Sequence, residues 1–283
     1  MLLDGKKLAG IRNKALQENI NLISPNVRKP HLAIINVGDN KASLIYIKHK
    51  IKSAKEVGIK TTLFSYPKDI DKEDLASNIK KINNDQEIDG VIIQLPFPDG
   101  FDEARYLDLI SDKKDVDGFS VIHQGYLFQG RKRILSATPL GIINLLDYYN
   151  LDVKGLNCLI IGASLIVGLP ISRVLLERGA TIQIAHKLTK NLKALTKQAD
   201  LIVVAVGKPN LITKDMVKKG AIIIDVGINR LDNNKIVGDV DYENVAKKAS
   251  YITPVPGGVG PMTVNALLEN VYKVYKDHFL GEE

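Results

Sequence analysis

Leu159-Ile-Ile-Gly-Ala-Ser-Leu-Ile-Val-Gly168 is the stretch of this sequence that decides the fold. Its apolar start is typical of a buried strand, Gly162 ends that strand, and Gly168 opens a helix. The unpaired N–H groups and the dipole at such a helix N-terminus favour a pyrophosphate. Ser164 replaces the middle glycine of the usual G-x-G-x-x-G, so the turn alone is as typical of an ordinary strand–helix connection. Together with the strands that follow it, the turn predicts a Rossmann-type dinucleotide-binding domain.

Strand and helix patterns alternate along the whole chain. In the second half, strands are predicted near 157–161, 181–185, 201–205 and 221–225. In the first half, the predicted elements are strands at 31–36, 60–65 and 90–95, and helices at 41–57, 72–82 and 140–149. A terminal amphipathic helix is predicted over 264–279. This order predicts an α/β fold with parallel sheets in two domains, whose boundary falls between Gly118 and Thr138.

The composition narrows the class of protein. With 283 residues, 45% hydrophobic and 25% charged, the chain has the size and make-up of a two-domain globular protein. The net charge of +7 comes from scattered lysines with few aromatics, which does not favour nucleic-acid binding. Cys158 is the single cysteine and lies in an apolar run, so disulfides and metal clusters are excluded. The sequence shows no signal peptide and no membrane-spanning stretch, so a cytoplasmic protein is expected.

The Pro/Gly segment, residues 254–263, packs three prolines and three glycines into eight of its residues. Proline fixes φ, and glycine lets the backbone approach a neighbour without a Cβ in the way. Rigid, bare backbone before a helix predicts a surface against which a flat or bulky ligand rests. The alternative is a purely structural turn.

Lys50 stands apart from the other lysines of the predicted helix 41–57. Four of them cluster on one face, namely Lys41, Lys48, Lys52 and Lys55. Lys50 falls roughly 140° away, beside Ser43 and Tyr46, and Tyr46 lies one turn before it. Burial can lower a lysine pKa toward neutrality, so Lys50 is a candidate acid/base group. The alternative is a boundary lysine whose amine reaches water.

Two further segments place polar groups where ligands collect in open α/β sheets. Gln94 lies at the carboxyl end of the apolar strand that begins at Gly90, and a buried amide can orient a lysine or a ligand. Lys113-Lys-Asp-Val-Asp-Gly118 carries two acids before a glycine. One of them is expected to form the turn, while Asp117 can instead accept hydrogen bonds from an N–H-rich heterocycle.

The end of the predicted strand 181–185 bears on the choice of cofactor. An NAD site usually has an acid there that binds the ribose 2′-hydroxyl. This sequence has His186 and Lys187, which attract a 2′-phosphate, so NADP is favoured over NAD. The alternative is that Lys187 is merely solvated.

Taken together, the sequence resembles the bifunctional methylenetetrahydrofolate dehydrogenase/methenyltetrahydrofolate cyclohydrolase family along nearly its whole length. The matching blocks are Tyr46-x-x-x-Lys50 after Ala42-Ser43, Asp89-Gly-Val-Ile-Ile-Gln-Leu-Pro96, Lys114-Asp-Val-Asp-Gly118, Thr138-Pro139 with Gly141, Gly162-x-Ser-x-Ile-Val-Gly-x-Pro170, Asp225-Val-Gly-Ile-Asn-Arg230, Gly238-Asp-Val-Asp241 and Pro254–Thr263. The resemblance implies oxidation of 5,10-methylenetetrahydrofolate with NADP, followed by hydrolysis to 10-formyltetrahydrofolate.

The resemblance also implies the domain organisation. Residues 1–138 would form a three-layer α/β domain that binds folate, completed by the C-terminal helix 264–283. Residues 139–263 would form the Rossmann-type NAD(P)-binding domain, separated from the first domain by a cleft. Homodimers would form through the Rossmann domains, with folate substrate as the other partner and no nucleic acid, membrane or metal.

The resemblance assigns roles to residues that match the family's motifs. Lys50 would be the acid/base group of the cyclohydrolase step, and Gln94 would hydrogen-bond it. Tyr46 would stack on the folate, and Asp117 would bind the pterin ring. The backbone of Pro256, Gly257 and Gly258 would line the same pocket. The cofactor-binding residues would be Gly162, Ala163, Ser164, Val167, Lys187 and Ile228.

Some positions depart from the family's pattern. Ala163 replaces a common arginine that can meet the 2′-phosphate, so NAD also remains open as cofactor. Ser120, Val121 and His123 replace the usual residues after Asp-Gly-Phe, and Ala137 replaces a cysteine.

Two other functions stay open: a two-domain Rossmann oxidoreductase acting on a small acid, as shikimate dehydrogenases do, and a non-catalytic nucleotide-sensing or nucleic-acid-binding module.

Overall fold

The computed structural model of the chain describes residues 1–131 and 133–280. The chain divides into two compact units. The first unit consists of Ile11–Ala137 and Val264–Glu283, and the second of Met1–Gly10 and Thr138–Thr263. Among the described residues, no helix combines the length and the apolar composition that crossing a membrane requires.

Helices and strands alternate through most of the described chain. The α-helices are α1 (Gly5–Asn21), α2 (Lys41–Val57), α3 (Lys72–Asn84), α4 (Glu103–Leu107), α5 (Val121–Phe128), α6 (Ala137–Tyr148), α7 (Gly168–Glu177), α8 (Leu192–Gln198), α9 (Tyr242–Val245) and α10 (Val259–Tyr275). The strands are β1 (His31–Val37), β2 (Lys60–Tyr66), β3 (Gly90–Ile93), β4 (Asn157–Ile161), β5 (Thr181–Ala185), β6 (Leu201–Val204), β7 (Ile222–Asp225), β8 (Asn229–Arg230), β9 (Ile236–Val237) and β10 (Tyr251–Ile252).

The first unit is built on a three-stranded parallel sheet in the order β2-β1-β3. All seven residues of β1 are buried, as its largely apolar sequence predicts for a central parallel strand. Ile35 pairs with Phe64 on one side and with Ile93 on the other. Strand β3 ends at Ile93, two residues earlier than the sequence predicts, so Gln94 lies just beyond the strand. The Gln94 N–H still donates to the Ile35 carbonyl at 2.8 Å, which fixes the residue at the carboxyl edge of the sheet.

Helix α2 follows β1 and carries Tyr46 and Lys50. Its start is fixed by the Asn40 side chain, which accepts from the N–H groups of Ala42 and Ser43. The buried residues of this helix are Ser43, Ile47, Ala54 and Val57. The four lysines that cluster on one face of the helix are exposed, whereas Lys50 is half-buried.

The second unit is built on a five-stranded parallel sheet in the order β10-β7-β6-β4-β5. The chain runs outward from β4 in both directions, first to β5 and then across to β6. The carboxyl ends of β4 and β6 therefore form the topological switch point at which dinucleotides bind in such sheets. Strands β6 and β7 are buried along their whole length, and β4 is buried from Cys158 to Ile161.

The first residues of the chain belong to the second unit, which differs from the predicted first domain of residues 1–138. Leu2 forms a parallel bridge with Ile252 of β10. The Leu3 N–H donates to the Ile252 carbonyl at 2.9 Å, and the Ile252 N–H donates to the Met1 carbonyl at 3.1 Å. These backbone bonds extend the edge of the Rossmann sheet, which is why the segment groups with it.

Helix α10 begins inside the Pro/Gly segment, at Val259 rather than at the predicted residue 264. Pro261 therefore occupies the first turn of the helix. A proline is tolerated there because its missing N–H would have no partner within the helix. The helix continues to Tyr275 and ends in a π-helical segment, Lys276–Leu280.

Candidate functional site

Lys50 and Gln94 are joined by a hydrogen bond within the first unit. The Lys50 Nζ donates to Gln94 Oε1 at 3.2 Å. The Gln94 Nε2 donates to the Leu95 carbonyl at 2.8 Å, which orients the amide so that its oxygen meets the amine. Burial lowers the pKa of Lys50, and the carboxyl of Asp117 opposes this shift. The pair thus presents an amine that gives up its proton more readily than an exposed lysine.

Asp117 is a buried carboxyl coupled to the same amine. Burial raises the pKa of Asp117 to about 6, the Lys50 amine acts in the opposite direction, and Asp115 raises it further. Because burial disfavours charge, the neutral forms of the Lys50 amine and of the Asp117 carboxyl are both more favoured here than they are in water. Lys50, Gln94 and Asp117 are therefore brought together from α2, from the end of β3 and from the loop before α5.

Asp115 is the turn-forming acid of the Lys114–Gly118 block. Its carboxylate accepts from the N–H groups of Gly118 and Ser120, both at 2.8 Å. Asn270 of α10 holds the same loop, because its Nδ2 donates to the carbonyls of Val116 and Leu135 at 2.9 Å. Sequence reasoning did not single out Asn270, and only its helical position facing the core offered a signal.

Tyr46 lies one turn before Lys50 on α2 and is 40% exposed. Burial of the rest of the ring raises the pKa of its phenol. The Ser43 Oγ, on the same face by helical spacing, is buried and has no hydrogen-bond partner within the described residues. This face of α2 therefore carries a partly exposed aromatic ring and an amine, with a buried hydroxyl next to them.

The departures at Ser120, Val121 and His123 all lie at the start of α5. The Ser120 Oγ accepts from the His123 N–H at 3.4 Å and caps the helix. The His123 Nε2 lies 2.8 Å from the Asp112 carbonyl oxygen, and Val121 is 68% exposed. Ser120 and His123 thus build the local structure of this loop and helix.

The glycine turn after β4 is packed so closely that two of its positions leave no room for a side chain. A Cβ on Gly162, which has φ +117°, would lie 2.3 Å from the Ala205 carbonyl oxygen. A Cβ on Gly168 would lie 1.9 Å from the Gly162 carbonyl oxygen. The Ser164 Oγ accepts from the N–H groups of Val167 and Gly168 at 3.2 and 3.4 Å. Ser164 thus orders the turn that opens α7, and the bare backbone of this cradle fits a pyrophosphate.

The other predicted cofactor residues border this turn or the neighbouring strand ends of the second unit. Ala163 and Ser164 are exposed, and Val167 is half-buried before α7. Lys187 is exposed directly after β5, in a turn where the His186 N–H donates to Thr189 Oγ1 at 2.9 Å. Ile228 follows β7 and is 44% exposed.

The Pro/Gly segment lies in the same unit as these residues. Pro256 is exposed, and Gly258 is buried where a Cβ would lie 2.6 Å from the Pro254 carbonyl oxygen. The Ile228 Cδ1 is 3.6 Å from the position that a Cβ on Gly260 would take. The structure therefore places the segment's helical start beside a predicted cofactor residue, while Lys50, Gln94, Asp117 and Tyr46 belong to the first unit.

Two buried carboxylates organise the strand ends around the switch point, and sequence reasoning missed them. Asp225 accepts from the N–H groups of Gly227, Asp239 and Val240, at 2.9 to 3.0 Å. Asp239 accepts from the N–H groups of Val206 and Gly207 and from Asn229 Nδ2, at 2.8 to 3.0 Å. Burial raises the pKa of Asp225 to about 6, while the backbone bonds oppose that shift. The sequence could have pointed to Asp225 and Asp239, because both acids lie within blocks that match the family's motifs.

Comparison with known proteins gives matches over both halves of the chain. Residues 3–117 match the tetrahydrofolate dehydrogenase/cyclohydrolase catalytic domain, and residues 136–279 match the NAD(P)-binding domain of the same family. A protein named Bifunctional protein FolD from Mesoplasma florum is 51% identical over 280 residues, covering 98% of each chain.

Solved structures agree with this assignment. The crystal structure of the bifunctional FolD methylenetetrahydrofolate dehydrogenase/cyclohydrolase from Campylobacter jejuni has a TM-score of 0.96 and 47% identity, covering 99% of each chain. The Trypanosoma brucei enzyme, solved with NADP cofactor and an inhibitor, has a TM-score of 0.94 and 30% identity, covering 98% of this chain and 97% of that one.

These matches do not favour the alternative of an oxidoreductase related to shikimate dehydrogenases, because both domains match one folate family. The amine–amide–carboxyl cluster and the glycine cradle lie within the matched ranges. The chain belongs to the tetrahydrofolate dehydrogenase/cyclohydrolase family.

Proposed function

We propose that this protein oxidises 5,10-methylenetetrahydrofolate to 5,10-methenyltetrahydrofolate with NADP⁺ and then hydrolyses the product to 10-formyltetrahydrofolate. The observation that carries the proposal is the Lys50 amine, hydrogen-bonded to Gln94, with a pKa lowered by burial. Such an amine gives up its proton more readily than an exposed lysine, which favours the proton transfers of the hydrolytic step. Membership in the folate family supplies the substrate class.

The first step requires mainly alignment. When bound, NADP⁺ would supply the acceptor for a hydride from the methylene carbon that bridges N5 and N10, and loss of that hydride leaves the methenyl cation. The Gly162–Gly168 turn would hold the pyrophosphate with backbone N–H groups. Tyr46 would stack on the pterin, and the exposed Pro256 with the neighbouring glycine backbone would restrict the substrate's orientation.

The second step needs proton transfer. A water oxygen bonds to the methenyl carbon while the neutral Lys50 amine takes one of the water's protons. The C–N5 bond then breaks, the hydroxyl proton is passed to N5, and the carbon becomes the 10-formyl group. One proton is released overall, from the Lys50 ammonium to solvent. Gln94 keeps the amine oriented, and Asp117 would accept hydrogen bonds from pterin N–H groups.

The test is Lys50→Met, with Lys48→Met as its matched control on the exposed face of α2. We expect Lys50→Met to lower cyclohydrolase turnover by a factor of about 100 or more, so that methenyl absorbance accumulates and persists. Lys48→Met should follow the wild type in both steps, and melting temperatures establish that both variants fold. Cyclohydrolase turnover by Lys50→Met at the wild-type rate would contradict the assigned role.

The preference for NADP⁺ over NAD⁺ is the second part of the proposal. Lys187 is exposed at the end of β5, where the ribose of a bound dinucleotide lies in Rossmann domains. A charge-assisted bond to the 2′-phosphate stabilises by roughly 1.5 kcal/mol or more, which is about tenfold in KM. Lys187→Ala should therefore raise the KM for NADP⁺ about tenfold and leave that for NAD⁺ unchanged.

Two variants frame this comparison. Ala163→Arg restores the arginine common in the family and should lower the KM for NADP⁺ without a matching gain for NAD⁺. Lys190→Ala changes another lysine of the same turn and should have no effect on either. Equal KM values for the two cofactors in the wild type would contradict the preference.

We further infer a cytoplasmic homodimer that forms through the Rossmann domain. Strand β5 is an outer strand of its sheet, so one row of its backbone N–H and C=O groups faces outward. Ile184 on this strand is 38% exposed. A second copy of the chain that covers β5 would bury that side chain. The single cysteine, a free buried thiol, agrees with a reducing compartment.

A further inference from the structure

The beginning of α1 touches the Pro/Gly segment directly. Gly5 is buried, and a Cβ at this position would lie 1.9 Å from the Gly258 carbonyl oxygen and 2.6 Å from its carbon. The Lys6 N–H, in the first turn of α1, donates to the Gly257 carbonyl at 2.8 Å. The first turn of α1 therefore contacts the Gly257 and Gly258 peptides, which the proposed function places next to the substrate.

The start of α1 is itself fixed in place. The Asp4 carboxylate accepts from the Lys7 N–H at 2.8 Å, as an N-cap residue does. The Asp4 N–H donates to the Tyr149 hydroxyl at 2.9 Å, and the preceding Leu3 is bonded to β10. These hydrogen bonds oppose any shift of the start of α1 away from the carbonyls of Gly257 and Gly258.

The Pro/Gly segment also lacks room to yield on its other side. A Cβ on Gly258 would lie 2.7 Å from the Thr253 Cβ and 2.6 Å from the Pro254 carbonyl oxygen. Gly258 is therefore packed between its own preceding residues and Gly5. Added volume at position 5 must move either the helix start or the Gly257–Gly258 backbone.

We infer that Gly5, together with the Lys6 backbone N–H, is a positioning residue for the folate site, acting through the Pro256–Gly258 backbone. The inference rests on the proposed function, in which that backbone borders the folate. Residues 1–10 contribute no side chain to the proposed reaction. Their contribution is the close approach that only a glycine at position 5 permits.

The test compares Gly5→Ala with Gly10→Ala, a second glycine of the same helix that has nothing within 4 Å of the Cβ position. A displacement of the order of 1 Å in a substrate-positioning group can cost up to about a hundredfold in rate. We expect Gly5→Ala to lower kcat/KM for 5,10-methylenetetrahydrofolate about tenfold or more. Its dissociation constant for NADP⁺, measured by calorimetry, should stay within about twofold of wild type. Gly10→Ala should match the wild type in both.

The outcomes separate the inference from the proposed function. A lowered melting temperature with unchanged kcat/KM in Gly5→Ala would show a merely structural role and overturn the inference alone. No turnover of the folate by the wild type would overturn both. If Gly5→Ala does not fold, Asp4→Ala loosens the same helix start without adding volume. A raised KM for the folate in that variant supports the inference, and an unchanged KM overturns it.

Discussion

Asp117 combines two properties that oppose each other at neutral pH. It is buried, which favours the protonated carboxyl, and it faces an amine, which favours the carboxylate. A group of this kind costs folding energy when it ionises. A bound heterocycle whose N–H groups meet the carboxyl would offset this cost, because the ligand then supplies the hydrogen bonds that burial withholds.

The first prediction concerns the pH dependence of stability at this residue. Burial raises the pKa of Asp117 from 3.8 to about 6. The stabilising contribution of the protonated carboxyl is therefore complete below pH 3.8 and is lost as the pH rises through 6. Relative to Asp117→Asn, which does not titrate there, the wild type should lose up to about 3 kcal/mol between pH 4 and pH 7.

Urea unfolding of both proteins at a series of pH values measures this difference. Asp69→Asn, at an exposed position in the same unit, is the matched control. If the wild type instead gained stability over Asp117→Asn as the pH rose, the Lys50 amine would outweigh burial, and the predicted direction of the pKa shift would be wrong.

At this scale the sequence predicted part of the site. The spacing of lysines along α2 separated Lys50 from its neighbours, because helical periodicity alone decides which face a side chain occupies. The sequence named Asp117 for the heterocycle, but it did not show how Asp115, two residues earlier in the same short loop, forms the turn. Their difference depends on N–H groups of Gly118 and Ser120 that turn back toward Asp115, and no local pattern encodes that geometry.

At the scale of elements, the carboxylates of Asp225 and Asp239 tie together segments that are distant in sequence. Asp239 bonds the turn after β6 and the side chain of Asn229 in β8. Asp225, at the end of β7, bonds the segment that contains Asp239. The turn after β6 also contains Ala205, whose carbonyl limits the space at Gly162. The shape of the dinucleotide cradle therefore depends on these two acids.

The second prediction tests this connection with Asp239→Ala. The substitution leaves three donors of the network without an acceptor, and their bonds to Asp239 are part-buried, so water can replace some of what is lost. We expect a total loss of about 1–3 kcal/mol in the free energy of unfolding by urea. We also expect weaker NADP⁺ binding by calorimetry, because the turn after β6 is released.

Asp241→Ala is the control for this variant. Asp241 lies two residues further along, is half-buried, and accepts from Asn244 Nδ2 at 2.8 Å. Its loss should cost less than about 1 kcal/mol. Similar losses in the two variants would argue against a special role for the Asp239 network.

The elements themselves were largely predictable, and the differences have local causes. Strand β3 stops at Ile93, short of the predicted residue 95, because its paired register with β1 ends there, although the Gln94 N–H still donates to the Ile35 carbonyl. Helix α10 starts at Val259 although the sequence around it is rich in glycine and proline. Proline in a first helical turn and proline in a loop give the same local pattern, so the sequence could not separate them.

At the scale of the whole molecule, chain order was a poor guide to the first ten residues. They show no strand pattern in the sequence. Within this segment only Leu2 forms a bridge, and its partner Ile252 is about 250 residues away along the chain. Pairing over such a distance is decided by the finished sheet and not by local propensity. The same long-range packing brings Gly5 against Gly258, which no motif indicated.

The third prediction concerns assembly. If a second copy covers β5, the wild type should sediment at about twice the chain mass of 31.2 kDa. Ile184→Asp places a carboxylate on the outer strand, where two copies related by a two-fold axis would bring their charges together. We expect this variant to sediment as a 31.2 kDa monomer with a nearly unchanged melting temperature at high dilution. Leu22→Asp, at an 84% exposed position in the first unit, should leave the dimer intact. A wild type that sediments as a monomer at all concentrations, or an Ile184→Asp variant that remains dimeric, would exclude β5 as the interface.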